Sequence, residues 1–193
     1  MPGRSVTAMT STPIDLGRPV AGDVVELILD DHRRFETLLR QLRDASSDRD
    51  AVRRAFAALH VAHAEAEERH VYPTLRDDHA IGDHEAQHGE HEHAEGNQAL
   101  LTVLELSGVE GEEFDEAVEE LSRLINHHLT EEELTILNPA RAKVPAPALA
   151  ELGTVFATER NALIDDDCGR LENVRAIVAR AEQGGLLDEA EEH

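Results

Sequence analysis

The sequence HAEAE at residues 63–67 and the sequence HLTEE at residues 128–132 each place a histidine four positions before a glutamate. On an α-helix this spacing brings both side chains to one face, one turn apart. A helical His-x-x-x-Glu pair can therefore chelate a metal ion. Each copy follows an apolar stripe in phase with its histidine and is followed by a proline, Pro73 or Pro139. The repetition predicts that both pairs face one core.

Apolar residues recur at steps of three and four around these pairs and predict four helices. Asp23 and Glu26 resemble a capping box at the start of the first helix. The predicted helices cover about residues 23–46, 47–73, 84–107 and 112–138, the second and fourth ending at their prolines. Short connections make consecutive helices antiparallel, so the predicted fold is all-α, an up-down-up-down four-helix bundle with additional C-terminal helices.

The chain divides into four predicted segments. These are a flexible N-terminal lead (1–22), the bundle (23–140), a C-terminal helical extension (141–183) and an acidic tail (184–193). Within the extension, helices are expected over about residues 148–163 and 171–181. The sequence leaves open whether this extension packs on the bundle or forms a dimer contact.

Charge and cysteine content limit the partners. The chain of 193 residues has 18 basic and 41 acidic residues, a net charge of 18 − 41 = −23, which disfavours nucleic acid and anionic membranes and favours cations. A solvated acidic surface would also explain this negative charge. Cys168 is the only cysteine, which excludes an internal disulfide and a thiolate metal cage. With no signal peptide or membrane span visible, we expect a cytoplasmic protein.

One histidine on each predicted helix lies at a common depth. At a rise of about 1.5 Å per residue, these four histidines lie roughly 13 to 15 Å from the same end of the bundle. They are His32, His63, His93 and His128. His93 shares a face with Leu100, whereas His88 lies roughly 7.5 Å nearer the helix start and is the reserve candidate. The other histidines are expected to be solvated or to support the site from outside: His60, His70, His79, His84, His91, His127 and His193.

The candidate metal ligands are therefore His32, His63, Glu67, His93, His128 and Glu132. Two buried carboxylates beside four imidazoles need a compensating positive charge, which metal cations supply. Imidazole and carboxylate without thiolate suit iron, manganese or zinc, and two shared carboxylates favour a dinuclear site. A buried network of hydrogen-bonded His-Glu pairs is the alternative. Tyr72, next to Pro73, could approach the site but is expected mainly to pack.

The order His, His-x-x-x-Glu, His, His-x-x-x-Glu resembles the hemerythrin-like, or HHE cation-binding, domain. The resemblance covers about residues 24–139 and is carried by DDHRRFETLL, HAEAEERHVYP and HHLTEEELTILNP. Ferritin-like bundles need Glu-x-x-His on two helices. That spacing occurs in the second and third predicted helices, at Glu67 with His70, Glu85 with His88, and Glu90 with His93, but not in the fourth.

The resemblance implies a non-heme di-iron centre in which Glu67 and Glu132 bridge the ions and the four histidines are terminal ligands. Oxygen-carrying hemerythrins place two histidines four apart in the third helix, but the positions four either side of His93 are Gly89 and Asn97. In this respect the chain is similar to bacterial hemerythrin-like proteins linked to peroxide breakdown, nitric oxide or oxygen response, and iron handling.

Three functions are then expected to compete. The first is a redox-active di-iron protein that reacts with dioxygen or hydrogen peroxide, with catalase-like turnover as one form of this activity. The second is a non-catalytic module that senses or stores oxygen, nitric oxide or iron. The third, a metal-free helical interaction protein, is disfavoured by the layer of six ligand residues.

Overall fold

Every regular element in the part of the chain that the computed structural model describes, residues 14–187, is a helix. The α-helices are α1 (Val24–Arg43), α2 (Arg49–Ala66), α3 (Tyr72–Asp77), α4 (Asp83–Glu105), α5 (Glu112–Glu132), α6 (Asn138–Lys143), α7 (Ala146–Asp165) and α8 (Leu171–Gln183). Two π-helices, π1 (Glu67–Val71) and π2 (Glu133–Leu137), join α2 to α3 and α5 to α6. The predicted all-helical class is confirmed.

The bundle is formed by α1, α2, α4 and α5, in which α1 contacts α2 and α5, and α4 contacts the same two helices. Two exposed ion pairs mark how α1 lies along the fourth helical segment, which consists of α5, π2 and α6: Glu26 contacts Arg141 of α6, and Arg43 contacts Glu119 of α5. The start of α1 therefore lies beside the end of the fourth helical segment. The predicted apolar stripe of α1 is buried: Val25, Ile28, His32, Phe35, Leu39 and Leu42.

Two large apolar clusters fill the interior of the bundle, and a third, small one lies between α4 and α8. One large cluster contains Phe35, Phe56 and Leu121, and the other large cluster contains Ile28 and Ile136. His32, the candidate ligand on α1, lies between Ile28 and Phe35 in the sequence. The candidate site therefore occupies the level between these two large clusters. None of the helices within residues 14–187 is long and apolar enough to cross a bilayer.

Both π-helices correct the expectation that prolines end the second and fourth helices. The second segment continues to Asp77 and the fourth to Lys143. Each π-helix closes on the residue before a proline: the amide of Tyr72 donates to the carbonyl of Glu67, and that of Asn138 to Glu133. Pro73 and Pro139 then fall in the first turn of a new α-helix, where the missing N–H is tolerated. The prediction was wrong because it did not consider a wider turn.

Residues 14–22 lie against the folded chain, which corrects the expectation of a flexible lead for this part. Ile14 and Leu16 pack on the apolar core. The Asn161 side chain donates to the carbonyl of Pro19 at 2.7 Å. The rest of the predicted lead, residues 1–13, and most of the predicted acidic tail, residues 188–193, lie outside the described residues.

The extension packs on its own bundle, with α7 against α1 and α2, and α8 against α4. Two glycines allow this close approach. A Cβ atom at Gly153 would lie 2.0 Å from the carbonyl oxygen of Gly22, and one at Gly169 would lie 2.3 Å from the amide nitrogen of Ala58. No L side chain fits at either position unless backbone moves.

We expect Gly153→Ala to lower the free energy of unfolding by about 1 to 3 kcal/mol, because the new methyl group would have to displace backbone. Gly108→Ala is the matched control, since a Cβ there meets no atom within 4 Å. Chemical denaturation of both variants measures the effect. Equal stability of Gly153→Ala and the parent chain would contradict the close packing of α7 on residues 14–22.

Candidate metal centre

All six predicted ligand residues meet in the middle of the bundle. They form two groups, and within each group the potential ligand atoms lie within 4.8 Å of one another. We call His32, His63 and Glu132 the first triad, and Glu67, His93 and His128 the second triad. None of the six is more than 3% exposed. The structure thus brings together the six residues that depth and helical spacing selected from the sequence.

Each glutamate contacts histidines of both triads. Glu132 Oε2 lies 3.1 Å from Nε2 of His32, in its own triad, and 3.7 Å from Nε2 of His128, in the second. Glu67 shows the converse relation: its Oε2 lies 3.3 Å from a ring nitrogen of its own triad and 3.2 Å from one of the first. The two carboxylates therefore span the gap between the triads.

Several inward-facing polar atoms make no aligned hydrogen bond within the described structure, although carboxylate oxygens lie near some of them. They are His63 Nε2, Glu67 Oε1, His93 Nε2 and His128 Nε2. An unsatisfied buried polar atom costs about 1 to 3 kcal/mol. Imidazole nitrogens and carboxylate oxygens left without partners at one point are a donor set for iron, manganese or zinc. The residues present therefore fit metal ions.

The family comparison agrees with this geometry. The model of the hemerythrin HHE cation-binding domain matches residues 23–139, a segment that contains all six residues. The chain belongs to the hemerythrin HHE family. The expected resemblance is thereby confirmed, and cation binding is the property that the family's description names.

A curated relative is a protein described as a DNA nickase from Nostoc sp. (strain PCC 7120 / SAG 25.82 / UTEX 2576). The two are 24% identical over 142 residues, which are 72% of this chain and 39% of the relative. The HHE chain thus spans well under half of that protein. No solved structure matches the chain.

A ring of carboxylates surrounds the HHE site. Each ligand histidine has its other nitrogen, Nδ1, near a carboxylate from a neighbouring helical segment: His32 with Glu133 at 2.9 Å, His63 with Asp31 at 3.4 Å, His93 with Glu68 at 2.9 Å, and His128 with Glu92 at 3.1 Å. Such contacts orient the imidazole and leave Nε2 for a metal. We call these four acids the carboxylate ring.

Sequence reasoning missed the carboxylate ring, although a signal was present. Each of its members stands directly beside a candidate ligand in the sequence, as Asp31 does beside His32 and Glu68 beside Glu67. Adjacent residues on a helix point in different directions, so one can face the bundle centre while the next faces the neighbouring helix. The contacts run from α1 to α2, from π1 to α4, from α4 to α5, and from π2 back to α1.

Tyr72 belongs to the site, beyond the packing role expected for it. Its hydroxyl donates to Glu132 Oε1 at 3.0 Å and lies 3.5 Å from Glu67 Oε2. Its ring stacks on that of His93, with centroids 5.8 Å apart. Gly89 makes room for it, because a Cβ there would lie 2.9 Å from the tyrosine oxygen. A phenol thus lies beside the helix position at which oxygen-carrying hemerythrins were expected to place a fifth histidine.

Other histidines lie outside both triads. The reserve candidate, His88, is 43% exposed, and its Nε2 lies 3.5 Å from Glu92 Oε1. His60 is buried, 2% exposed, with ring centroid 6.5 Å from that of His93. His93 thus lies within a triad and His88 outside both, while His60 is buried beside the site rather than solvated.

Protons and charges are strongly coupled at the site. Burial works to lower the pKa of His32, but its hydrogen bond with Glu132 raises it to about 9. Burial likewise opposes the charge on His93, yet its close contacts with the carboxylates of Glu67 and Glu68 raise its pKa to about 10. Burial, with the charge on Glu132, raises the pKa of Glu67 to about 8. Without metal, protons therefore supply the positive charge that the buried carboxylates need.

His63 differs from those two histidines. Burial lowers its pKa to about 4, although its hydrogen bond with Asp31 works in the opposite direction. The His63 ring is therefore neutral at neutral pH. A neutral ring with Nδ1 turned towards a carboxylate leaves Nε2 as a lone-pair donor, which is the form that binds a metal.

We expect Glu133→Gln to weaken metal binding by about 10- to 100-fold, because an amide orients the His32 ring less firmly than a carboxylate. Glu131→Gln is the control. Glu131 also neighbours Glu132 in the sequence, but the hydrogen bond it accepts from Thr135 is through its carbonyl. Calorimetric titration with Zn²⁺ measures both affinities. Equal losses in the two variants would show that the carboxylate ring does not support the ligands.

Proposed function

We propose that the two triads hold two ions, iron in the resting protein, and that Glu67 and Glu132 bridge them. The observation that carries this proposal is the set of unpartnered, buried nitrogens and oxygens at the bundle centre. The bridging role is supported by the contacts of each glutamate with both triads. Manganese and zinc accept the same donors and remain alternative metals. The bundle itself is proposed to have the up-down-up-down order.

Iron at this position would supply the electrons for a reaction with dioxygen or hydrogen peroxide. The protein's own residues orient and shield the site. Four imidazoles each direct one nitrogen inward, and the Tyr72 hydroxyl holds Glu132 in place. Burial, with the nearby charges of Glu132 and Glu67, raises the pKa of Tyr72 well above its usual value of 10, so its phenol stays protonated and donates. The apolar clusters on either side limit access of water.

Peroxide decomposition is the reaction we favour. Two molecules of hydrogen peroxide would yield two of water and one of dioxygen, with no external reductant. Six protein ligands leave coordination positions for a small molecule. Gly89 and Asn97 stand four residues either side of His93, so helix α4 supplies one inward-facing ligand histidine. This smaller donor set supports an open, reactive centre rather than a reversible oxygen carrier.

The alternative is a non-catalytic module that senses or stores oxygen, nitric oxide or iron. A specific observation supports it, since Arg160 of the extension contacts Asp31, which in turn contacts His63. A change at the metals could therefore reach α7. The name of the DNA nickase concerns that longer relative. The net charge of −23 disfavours electrostatic binding of a DNA backbone by this chain.

We expect the parent chain, loaded anaerobically with Fe²⁺, to retain two iron ions, and His63→Ala or Glu132→Ala to lose iron and peroxide decomposition together. Metal analysis and an oxygen electrode measure these. His91→Ala is the control, because His91 contacts Leu186 and Glu95 outside both triads. Less than one iron ion per parent chain would contradict the di-iron proposal. Two iron ions without oxygen evolution would support the non-catalytic alternative.

Metal binding should also release protons. Ligation requires deprotonated groups, whereas without metal the pKa is about 8 for Glu67, about 9 for His32 and about 10 for His93. All three groups carry protons at pH 7, so metal binding must displace them and affinity must rise with pH. Titration with Zn²⁺ in weakly buffered dye solution measures the release. Affinity unchanged between pH 6 and about 8 would contradict this ligand set.

A further inference from the structure

Arg160 is a fully buried cation, 0% exposed, on a helix outside the four-helix bundle. Its Nε donates to Asp31 Oδ2 at 2.6 Å and its Nη2 to Asp31 Oδ1 at 2.8 Å. The remaining donors contact the carbonyls of Leu16 and Gly17 and the side chain of Asn161. Every nitrogen of the guanidinium therefore donates a hydrogen bond, which fixes both Arg160 and the carboxylate of Asp31.

Asp31 links this arginine to the candidate metal site. The oxygen that accepts from Arg160 Nε, Oδ2, also lies 3.4 Å from His63 Nδ1. The His63 ring is itself 1% exposed and packs edge-on against Phe35 and Phe156. The aspartate is therefore the polar contact that orients this ring from outside the triad.

Within residues 14–187, Asp31 is the one member of the carboxylate ring that pairs with a fully buried arginine. Glu68 contacts His93 and Glu133 contacts His32. The side chains of these two acids are 36% and 45% exposed. Their contacts are also shorter, at 2.9 Å, than the 3.4 Å contact of Asp31. Two ring members thus face solvent, while Asp31 is held by the extension.

We infer that Arg160 is a positioning residue for the first triad: it fixes Asp31 so that the His63 ring presents Nε2 to a metal ion. This inference rests on the proposed metal function and extends it, because it makes the two metal positions inequivalent. The second triad is supported by acids of the bundle alone. The first triad requires α7 and residues 14–22 to be docked, since both contribute to the surroundings of Arg160.

Loss of Arg160 would change what Asp31 contacts. Arg34 Nη1 already lies 3.3 Å from Asp31 Oδ1, and the Arg34 side chain is 32% exposed. A carboxylate released by Arg160 would turn towards this more solvated cation and away from His63. The His63 ring would then lose its outer partner, while His93 and His128 would keep theirs.

The test compares Arg160→Met/Asp31→Asn with Arg33→Met/Asp30→Asn in the full chain. The first pair neutralises both buried charges together, which avoids leaving one of them unpaired. The second pair removes an arginine–aspartate ion pair on the surface of α1, where Asp30 directly precedes Asp31 and both side chains are more than half exposed. Circular dichroism establishes that each variant is folded. Arg160→Lys, which leaves Asp31 in place, is measured beside them to separate the role of the arginine from that of the aspartate.

Co²⁺ binding is measured in two backgrounds. His93→Ala disables the second triad and His32→Ala disables the first. We expect the Arg160/Asp31 variant to weaken Co²⁺ binding by about 10- to 100-fold in the His93→Ala background and to leave it unchanged in the His32→Ala background. The surface control should have no effect in either. Equal weakening in both backgrounds, or none in either, would overturn the inference.

A second measurement needs no metal. In the metal-free parent chain, ¹⁵N NMR should show His63 as the neutral tautomer with its proton on Nδ1, and this preference should decline in the Arg160/Asp31 variant. A folded variant with an unchanged His63 tautomer would overturn the positioning role. Failure of the parent chain to bind Co²⁺ would instead overturn the proposed metal function, and the His63 tautomer in Arg160→Lys, which keeps Asp31, would still decide the role of Arg160.

Discussion

The charge balance at the centre of the bundle constrains the rest of this structure. Two carboxylates with almost no exposure, Glu67 and Glu132, lie between apolar clusters, where an uncompensated charge is very costly. Without metal, protons on Glu67, His32 and His93 compensate this charge; bound metal ions would take over that role. The same interior therefore has two charge states, one balanced by protons and one by metal. The surrounding helices must remain folded in both.

The carboxylate ring and Arg160 surround this charged layer and contribute to keeping the helices in place around it. The carboxylate ring links neighbouring helices at the level of the candidate ligands, so polar contacts join the helices where the apolar packing is interrupted. Asp31 adds the extension to this layer through Arg160. The polar layer is consequently part of what holds the helices in register, as well as a place for ions.

The inward-facing candidate ligands were predictable because they obey helical periodicity. His63 and Glu67 share a face with the apolar stripe of their helix, and depth along the bundle selected His93 over His88. The carboxylate ring was not predictable in this way, since an acidic residue beside a ligand is indistinguishable by period from a solvated one. Long-range partners such as Arg160, which lies 129 residues from Asp31, depend on how the extension packs. Periodicity within a single helix carries no information about that.

The π-helices have a geometric consequence for the site. Residues five apart on a regular α-helix point about 140° away from each other, because each residue turns the helix by about 100°. The wider turn of π1 instead brings a residue back over the one that lies five positions before it. Tyr72 stands five residues after Glu67, and its hydroxyl lies 3.5 Å from the Glu67 carboxylate. The single extra residue in that turn thus acts as a phase shift, which brings into the metal layer an aromatic side chain that an unbroken α-helix would have directed elsewhere.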